Sequence, residues 1–401
     1  MRKFLLAGVA TLALSASGAA WADMSDKTIK IGVLTDMSGV YSDVNGEGSV
    51  VAAKLAAEDF GNAINGVPIE IISGDHQNKA DIAANLTRKW IDTQGVDAIA
   101  DVPNSAAALA VQGITRDKER IFLAVGPGTV DLTGKECSPY GFHWAYDTHA
   151  LGSATARALM QQGKTSWFFV SADYTFGHSL ENEAAKTVKE MGGTVKGSVR
   201  HPLANSDFSS FLIQAQGSGA DVVAFANAGG DTIASVKQAA EFGIPQSGQT
   251  LAALLLNIND VDSLGLETAQ GLTMANAFYW DQNDDTRAWS KRFEEKMGRK
   301  PSMNQAGVYS AVHHYLQAIK DTGSDKAPDV AEKMRTTPIN DMMMKDITIA
   351  PNGRVMNETY LYRVKSPAES KYPWDYLTLL ETVPGERAYI DPKASGCALV
   401  K

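Results

Sequence analysis

The chain has 401 residues, 44% of them hydrophobic and 21% charged, which leaves room for two or three ordinary globular domains. Its formal net charge of -9 at pH 7 argues against nucleic acid and against an anionic membrane surface as partners. No low-complexity stretch occurs, and the acidic run Asp281 to Asp285 reads as solvated surface rather than as a site.

At the start, Arg2 and Lys3 precede an apolar run from Phe4 to Leu14 and an Ala20-Trp21-Ala22 cleavage signature. These are the three parts of a secretory signal peptide, so export is expected, with residues 1–22 removed and a mature chain beginning at Asp23. The apolar run is shorter than the roughly 20 residues a bilayer requires. No lipid-attachment cysteine follows it, and no later segment reads as transmembrane.

From Thr28 to Tyr146 strands and helices alternate. Ile29 to Thr35 is a β-branched apolar strand stopped by Asp36-Met37-Ser38-Gly39, and Gly48 to Phe60 has helical spacing. Strands follow at Ile69 to Ser73, Ala98 to Val102 and Ile121 to Val125, with helices at Asp81 to Thr93 and Ser105 to Asp117. The same grammar restarts after Asp147. Helices are expected at Ala150 to Gln162, Ser179 to Met191, Phe208 to Gln216 and Thr232 to Phe242. Strands are expected at Ser166 to Ser171, Thr194 to His201, Val222 to Ala226, Thr250 to Leu256 and, closing the series, Leu272 to Phe278. Near-continuous apolar strands separated by amphipathic helices mean parallel sheets covered on both faces. The repeat is one of element order, not of sequence.

Two long helices, Thr286 to Met297 and Met303 to Lys320, precede a tail of short strands that includes Ile347 to Ile349 and Tyr360 to Val364. The fold class is therefore α/β, two doubly wound parallel-sheet lobes joined by a multi-strand hinge. The expected division is 23–146 with 282–349 for one lobe, 147–281 with 350–385 for the other, and a tail at 386–401. The two cysteines, Cys137 and Cys397, show neither C-x-x-C nor zinc spacing. In an exported protein such a pair is more often a disulfide than a catalytic thiol, with two buried unpaired thiols as the other reading.

Ligands of open α/β sheets bind beyond the carboxyl ends of the strands. In the first lobe those ends carry Tyr41, the Asn104-Ser105-Ala106 helix start and the Gly126-to-Thr129 turn. A capped helix start offers free N–H groups and a favourable dipole to a carboxylate, and Ser105 and Thr129 add hydroxyls. In the second lobe they carry Tyr174 and Phe176, Asn227, and Asn257, with Asp147 at the first crossing between lobes. Each feature alone is ordinary capping or turn chemistry; their recurrence at successive strand ends points to a cleft.

The run IKIGVLTDMSGVYSD, then GDHQNKADIAANLTRKWID, VPNSAAALAV, FLAVGPGTVDLTG and DYTFGHSLE resemble, in that order, the solute-binding proteins of branched-chain amino acid and amide-type ABC transporters. The resemblance covers nearly all of the mature chain. It implies a type I periplasmic binding protein fold, a periplasmic location and an inner-membrane ABC permease as partner; a monomer is the default expectation. It implies a ligand carboxylate on Ser105, Ala106, Gly128 and Thr129, an apolar body between Tyr41 and Phe176 with Tyr174 nearby, and Asp147 for an amino group. The family's second acidic position falls on Asn257, which removes one charge partner for an α-ammonium. Aromatic carboxylates are therefore the expected ligand, with Asn227 and Asn257 setting specificity, and a branched-chain or other amino acid or amide is the alternative. The segments CSPYGFHW and SGCALVK resemble the branch in which these cysteines are paired.

An enzyme would need a set of reacting groups, and its motifs are missing. Gly177-His178-Ser179-Leu180-Glu181 lacks the final glycine of a nucleophile elbow, and His313-His314 stand without H-E-x-x-H. There is no phosphate loop and no dinucleotide fingerprint, so neither cofactor, metal nor catalytic residue is expected. A periplasmic α/β enzyme and a ligand sensor coupled to a membrane partner stand as the competing classes.

Overall fold

The computed structural model describes residues 24–401, and the expected signal peptide lies outside the described residues. The first sheet contains β1 (Ile29–Thr35), β2 (Ala63–Ile64), β3 (Val67–Asp75), β4 (Ala98–Asp101), β5 (Ile121–Ala124) and β6 (Gly141–His143). Their order is β2-β3-β1-β4-β5-β6; β2 forms an antiparallel hairpin with β3, and all other pairings are parallel. Every residue of β4 and β5 is buried, because helices cover both faces. The second sheet contains β7 (Ser166–Ala172), β8 (Thr194–His201), β9 (Val222–Ala226) and β10 (Thr250–Ala253) in the order β10-β9-β7-β8, all parallel. Strand order reverses between β1 and β4 in one sheet and between β7 and β9 in the other. Those reversals are the switch points at which such sheets open a crevice.

The strand expected to close the second parallel series forms as β11 (Thr273–Asn276) but belongs elsewhere. It pairs antiparallel with β12 (Thr359–Val364), which pairs with β13 (Leu377–Val383) in a separate sheet. A buried apolar strand reads alike beside either kind of neighbour, and its partner here lies far along the chain. The tail adds a helix, Ala327–Thr336, that the sequence reading did not anticipate; the expected strand at Ile347 to Ile349 is reduced to isolated bridges.

The helix Met303–Thr322 packs on Gly46–Asp59 of the first lobe, and Thr148–Gln161 packs on Thr175–Glu190 and on β11. The chain passes from the first sheet to the second between β6 and β7, from β11 back to helices that pack on Gly46–Asp59, and from Ala327–Thr336 on to β12. Arg354, 1% exposed, ties the last passage to the first: it donates to Tyr146 O at 2.8 Å, and its guanidinium lies 4.1 Å from the Tyr389 ring. Cys137 and Cys397 are joined in a disulfide, Cα atoms 5.6 Å apart, which fastens the C-terminal tail to the loop before β6. No described helix is long and apolar enough to cross a membrane.

Candidate functional site

The two lobes meet at their strand ends. Gly230 N–H donates to Val40 O at 3.0 Å, a backbone bond from one lobe to the other. Gly229 has φ +55, and a Cβ there would stand 2.2 Å from Val40 O, so only glycine permits this approach. The Tyr41 and Tyr174 hydroxyls are hydrogen-bonded across the same seam. Burial first, then Tyr174, pushes the Tyr41 hydroxyl well above its ordinary pKa, so it stays protonated.

Behind that seam lies a narrow cavity lined by both lobes. Its first-lobe wall takes one residue after each central strand: Tyr41 after β1, Pro103 after β4, Gly126 after β5 and Tyr146 after β6. The second lobe contributes Tyr174 and Phe176 after β7, Ala228 after β9, and Leu255 and Asn257 after β10. Val44 and Asn45 enter from the loop before the first helix, and Asn304 from the helix Met303–Thr322. The wall thus has aromatic faces, aliphatic groups and amides, and no Asp, Glu, Lys or Arg.

Three ionisable groups stand just behind it. Asp101 accepts hydrogen bonds from Thr35 Oγ1 at 2.8 Å and Asn45 Nδ2 at 2.7 Å; burial lifts its pKa to about 6 against those donors. Asp260 accepts the Asn257 N–H at 2.8 Å and is lifted by burial to about 7. Asp231 holds the N–H groups of Ala204 and Asn205 and is lifted by burial to about 6. Asn304 Nδ2 donates to Asn45 Oδ1 at 2.9 Å, and Asn304 Oδ1 has no hydrogen-bond partner. Neither polar atom of the Asn257 side chain has one. A buried orphan of this kind costs about 1–3 kcal/mol, which a matching ligand group would recover.

Of the expected site residues, the structure brings Tyr41, Tyr174, Phe176 and Asn257 together on the cavity wall. Ser105, Ala106, Gly128 and Thr129 gather beside it without lining it. Asn104 caps their helix by accepting from Ala107 N–H, and Ser105 Oγ accepts the N–H groups of Gly128 and Thr129, each at 3.3 Å. A side chain at Gly128 would run into the Phe176 ring at 2.8 Å. Asp147 caps the helix Thr148–Gln161 through Ala150 N–H and shares a different cavity with Arg354; burial raises its pKa. Asn227 is engaged with His201, Thr232 and Ser235 inside the second lobe. Asn45, Tyr146 and Asn304 were not singled out from the sequence. Tyr146 follows β6 and answers to the strand-end rule; Asn304 sits in an ordinary helix start and carries no local signal. Among the described residues no cluster of His, Cys, Asp and Glu could hold a metal ion.

The sequence profile of the family described as periplasmic binding protein matches residues 28–371. A solved periplasmic binding protein from Burkholderia mallei is 46% identical, with TM-score 0.92, and the match covers 94% of this chain and 100% of that one. A solved branched chain amino acid ABC transporter periplasmic ligand-binding protein from Burkholderia xenovorans is 38% identical, with TM-score 0.83, covering 93% of this chain and 100% of that one. A solute binding protein of an ABC transporter from R. palustris, solved in complex with benzoate, shares the fold at 20% identity and TM-score 0.82, over 93% of this chain and 100% of that one.

Proposed function

This chain belongs to the periplasmic binding protein family, and from that premise we propose that it captures a small carboxylate solute, in the first place a branched-chain or similar amino acid, between its lobes. As a member of that family it is the solute-binding component of an ABC transport system, paired with a membrane permease, and a transport protein rather than an enzyme. The observation that carries the ligand reading is the cavity itself: aromatic faces around amides, with Asn257 and Asn304 Oδ1 buried and unpartnered. The rings accept an apolar body and the amides accept its polar ends. Ser105 supports the carboxylate end. Its oxygen already accepts two N–H groups, so its own proton is left to donate. The N–H groups at the start of the helix Ser105–Asp117 add to that field.

The amino-acid reading draws on the 38% identical relative, whose name carries that ligand class. An aromatic carboxylate is the second reading. It draws on the wall of Tyr41, Tyr146, Tyr174 and Phe176, and on the want of an ionised partner for an α-ammonium. The proposal includes cleavage after Ala22, a monomer, and lobes at 23–146 with 282–349 and 147–281 with 350–385. A thermal-shift screen of L-amino acids, short amides and benzoate derivatives, followed by calorimetry, tests it. Leucine, isoleucine or valine should raise Tm and bind. Stabilisation by benzoates alone would replace the first reading with the second, and no stabilisation by any of them would remove the ligand class.

A further inference from the structure

The donor and acceptor directions around Asn304 are not free. Asp101 lies fully buried at the end of β4, and a carboxylate only accepts hydrogen bonds. Asn45 must therefore turn its NH₂ toward Asp101 Oδ1, as the 2.7 Å contact requires, and this leaves Asn45 Oδ1 facing Asn304. Asn304 must in turn offer its own NH₂ to that oxygen, at 2.9 Å. The last oxygen in the chain, Asn304 Oδ1, is left buried and without a partner on a residue that lines the cavity. Thr35 Oγ1, donating at 2.8 Å, holds the other carboxylate oxygen and keeps Asp101 from rotating. Asn257, on the opposite lobe, stands beside Asp260, whose carboxylate accepts the Asn257 N–H at 2.8 Å.

We propose that Asn304 is the specificity-determining acceptor of the cleft, oriented by Asp101 through Asn45, and that the site selects solutes bearing a hydrogen-bond donor (an ammonium, an amide N–H or a hydroxyl) that faces Asn304. The inference rests on the solute-capture reading above and sharpens it. A solute of the same shape without the donor leaves Asn304 Oδ1 buried and unpaired, and sites built in this way discriminate strongly. Asp101 and Asn45 act as positioning residues, touching the solute only through Asn304.

Calorimetry with matched pairs tests this on the mature protein: L-leucine against 4-methylpentanoate, and 4-hydroxybenzoate against benzoate. In the pair that binds, the donor-bearing member should bind about 10–100-fold more tightly. Asn304→Ala should collapse that ratio to below about threefold, because the acceptor is gone. Asp101→Asn keeps the shape but lets both amides turn over, and should lower the ratio in the same direction. General damage to the fold would weaken both members equally and leave their ratio standing. A ratio near one in the wild-type protein, or a ratio unchanged by Asn304→Ala, overturns the proposal and leaves solute capture intact. Should neither pair bind the wild-type protein, the ligand class and this proposal fall together.

Discussion

Ser105 shows how little of a residue's role is written in its type. Its hydroxyl receives the N–H groups of Gly128 and Thr129, so a single side chain organises the turn that would face a carboxylate. Ser105→Ala combined with Thr129→Ala removes two hydroxyls beside that anion. Charge-assisted hydrogen bonds contribute about 1.5–3 kcal/mol each, so calorimetry should show a loss of affinity of at least tenfold. Unchanged affinity would place the carboxylate elsewhere. Asp97 gives a pH prediction. It is buried and accepts the Lys30 N–H at 2.8 Å; burial, with Asp325 and Asp26 nearby, lifts it to about 7. The folded protein therefore holds this proton where the unfolded chain has released it. The stabilisation is complete below about pH 4 and is lost as pH rises through 7. Asp97→Asn does not titrate and keeps an oxygen for Lys30. Urea unfolding should find it more stable than wild type by about 1–3 kcal/mol at pH 8, with the gap smaller at pH 5 and closed only below about pH 4. A gap of the same size at both pH values would exclude titration of Asp97 as its cause.

At the scale of elements, the turn between β9 and the helix Gly230–Glu241 decides how far the lobes can approach. Gly229 and Gly230 let the chain lie against the Val40 carbonyl, and neither lines the cavity. Gly229→Ala would press a methyl into that carbonyl and force a strained φ on an L residue. The expected outcome is weaker binding, by about 10-fold or more, with the cavity wall untouched, because closure no longer gains its interlobe bond. Small-angle scattering with saturating ligand should then give a larger radius of gyration than wild type gives; identical curves would mean that closure does not depend on this contact. The helix carrying Phe176 makes a related point. It starts at Thr175, four residues before the expected Ser179, and so brings the Phe176 ring over Gly128. Its buried face, Phe176, Leu180, Ala184 and Val188, already includes that first turn, so the apolar spacing reaches further than expected.

For the whole molecule, the long-range constraint is the Cys137–Cys397 bond, which closes a loop with a sequence separation of 260. It lies away from the cavity wall and ties the tail to the first lobe. Replacing both cysteines by serine should cost about 2–4 kcal/mol in urea unfolding, through the greater freedom of the unfolded chain. Ligand affinity should stay within about twofold of wild type, since no group at the cavity changes. A large loss of affinity would mean that the tail governs lobe geometry. Under the proposed function, a ligand would shift the balance between open and closed lobes in proportion to its preference for the closed form.

Element order, the parallel character of the two main sheets and the strand-end positions of Tyr41, Tyr174, Phe176 and Asn257 were legible in the sequence. They follow from local periodicity and from where parallel sheets leave a crevice. Only the tertiary structure decided that β11 joins β12, that Asp147 serves as a helix cap beside Arg354, that Asn227 is turned inward, and that Asn304 lines the cavity with Asn45 holding its NH₂. The physical reason is range. A strand's burial is set by its own residues, but the direction of a hydrogen bond is set by its partner, and here the partners come from distant parts of the chain.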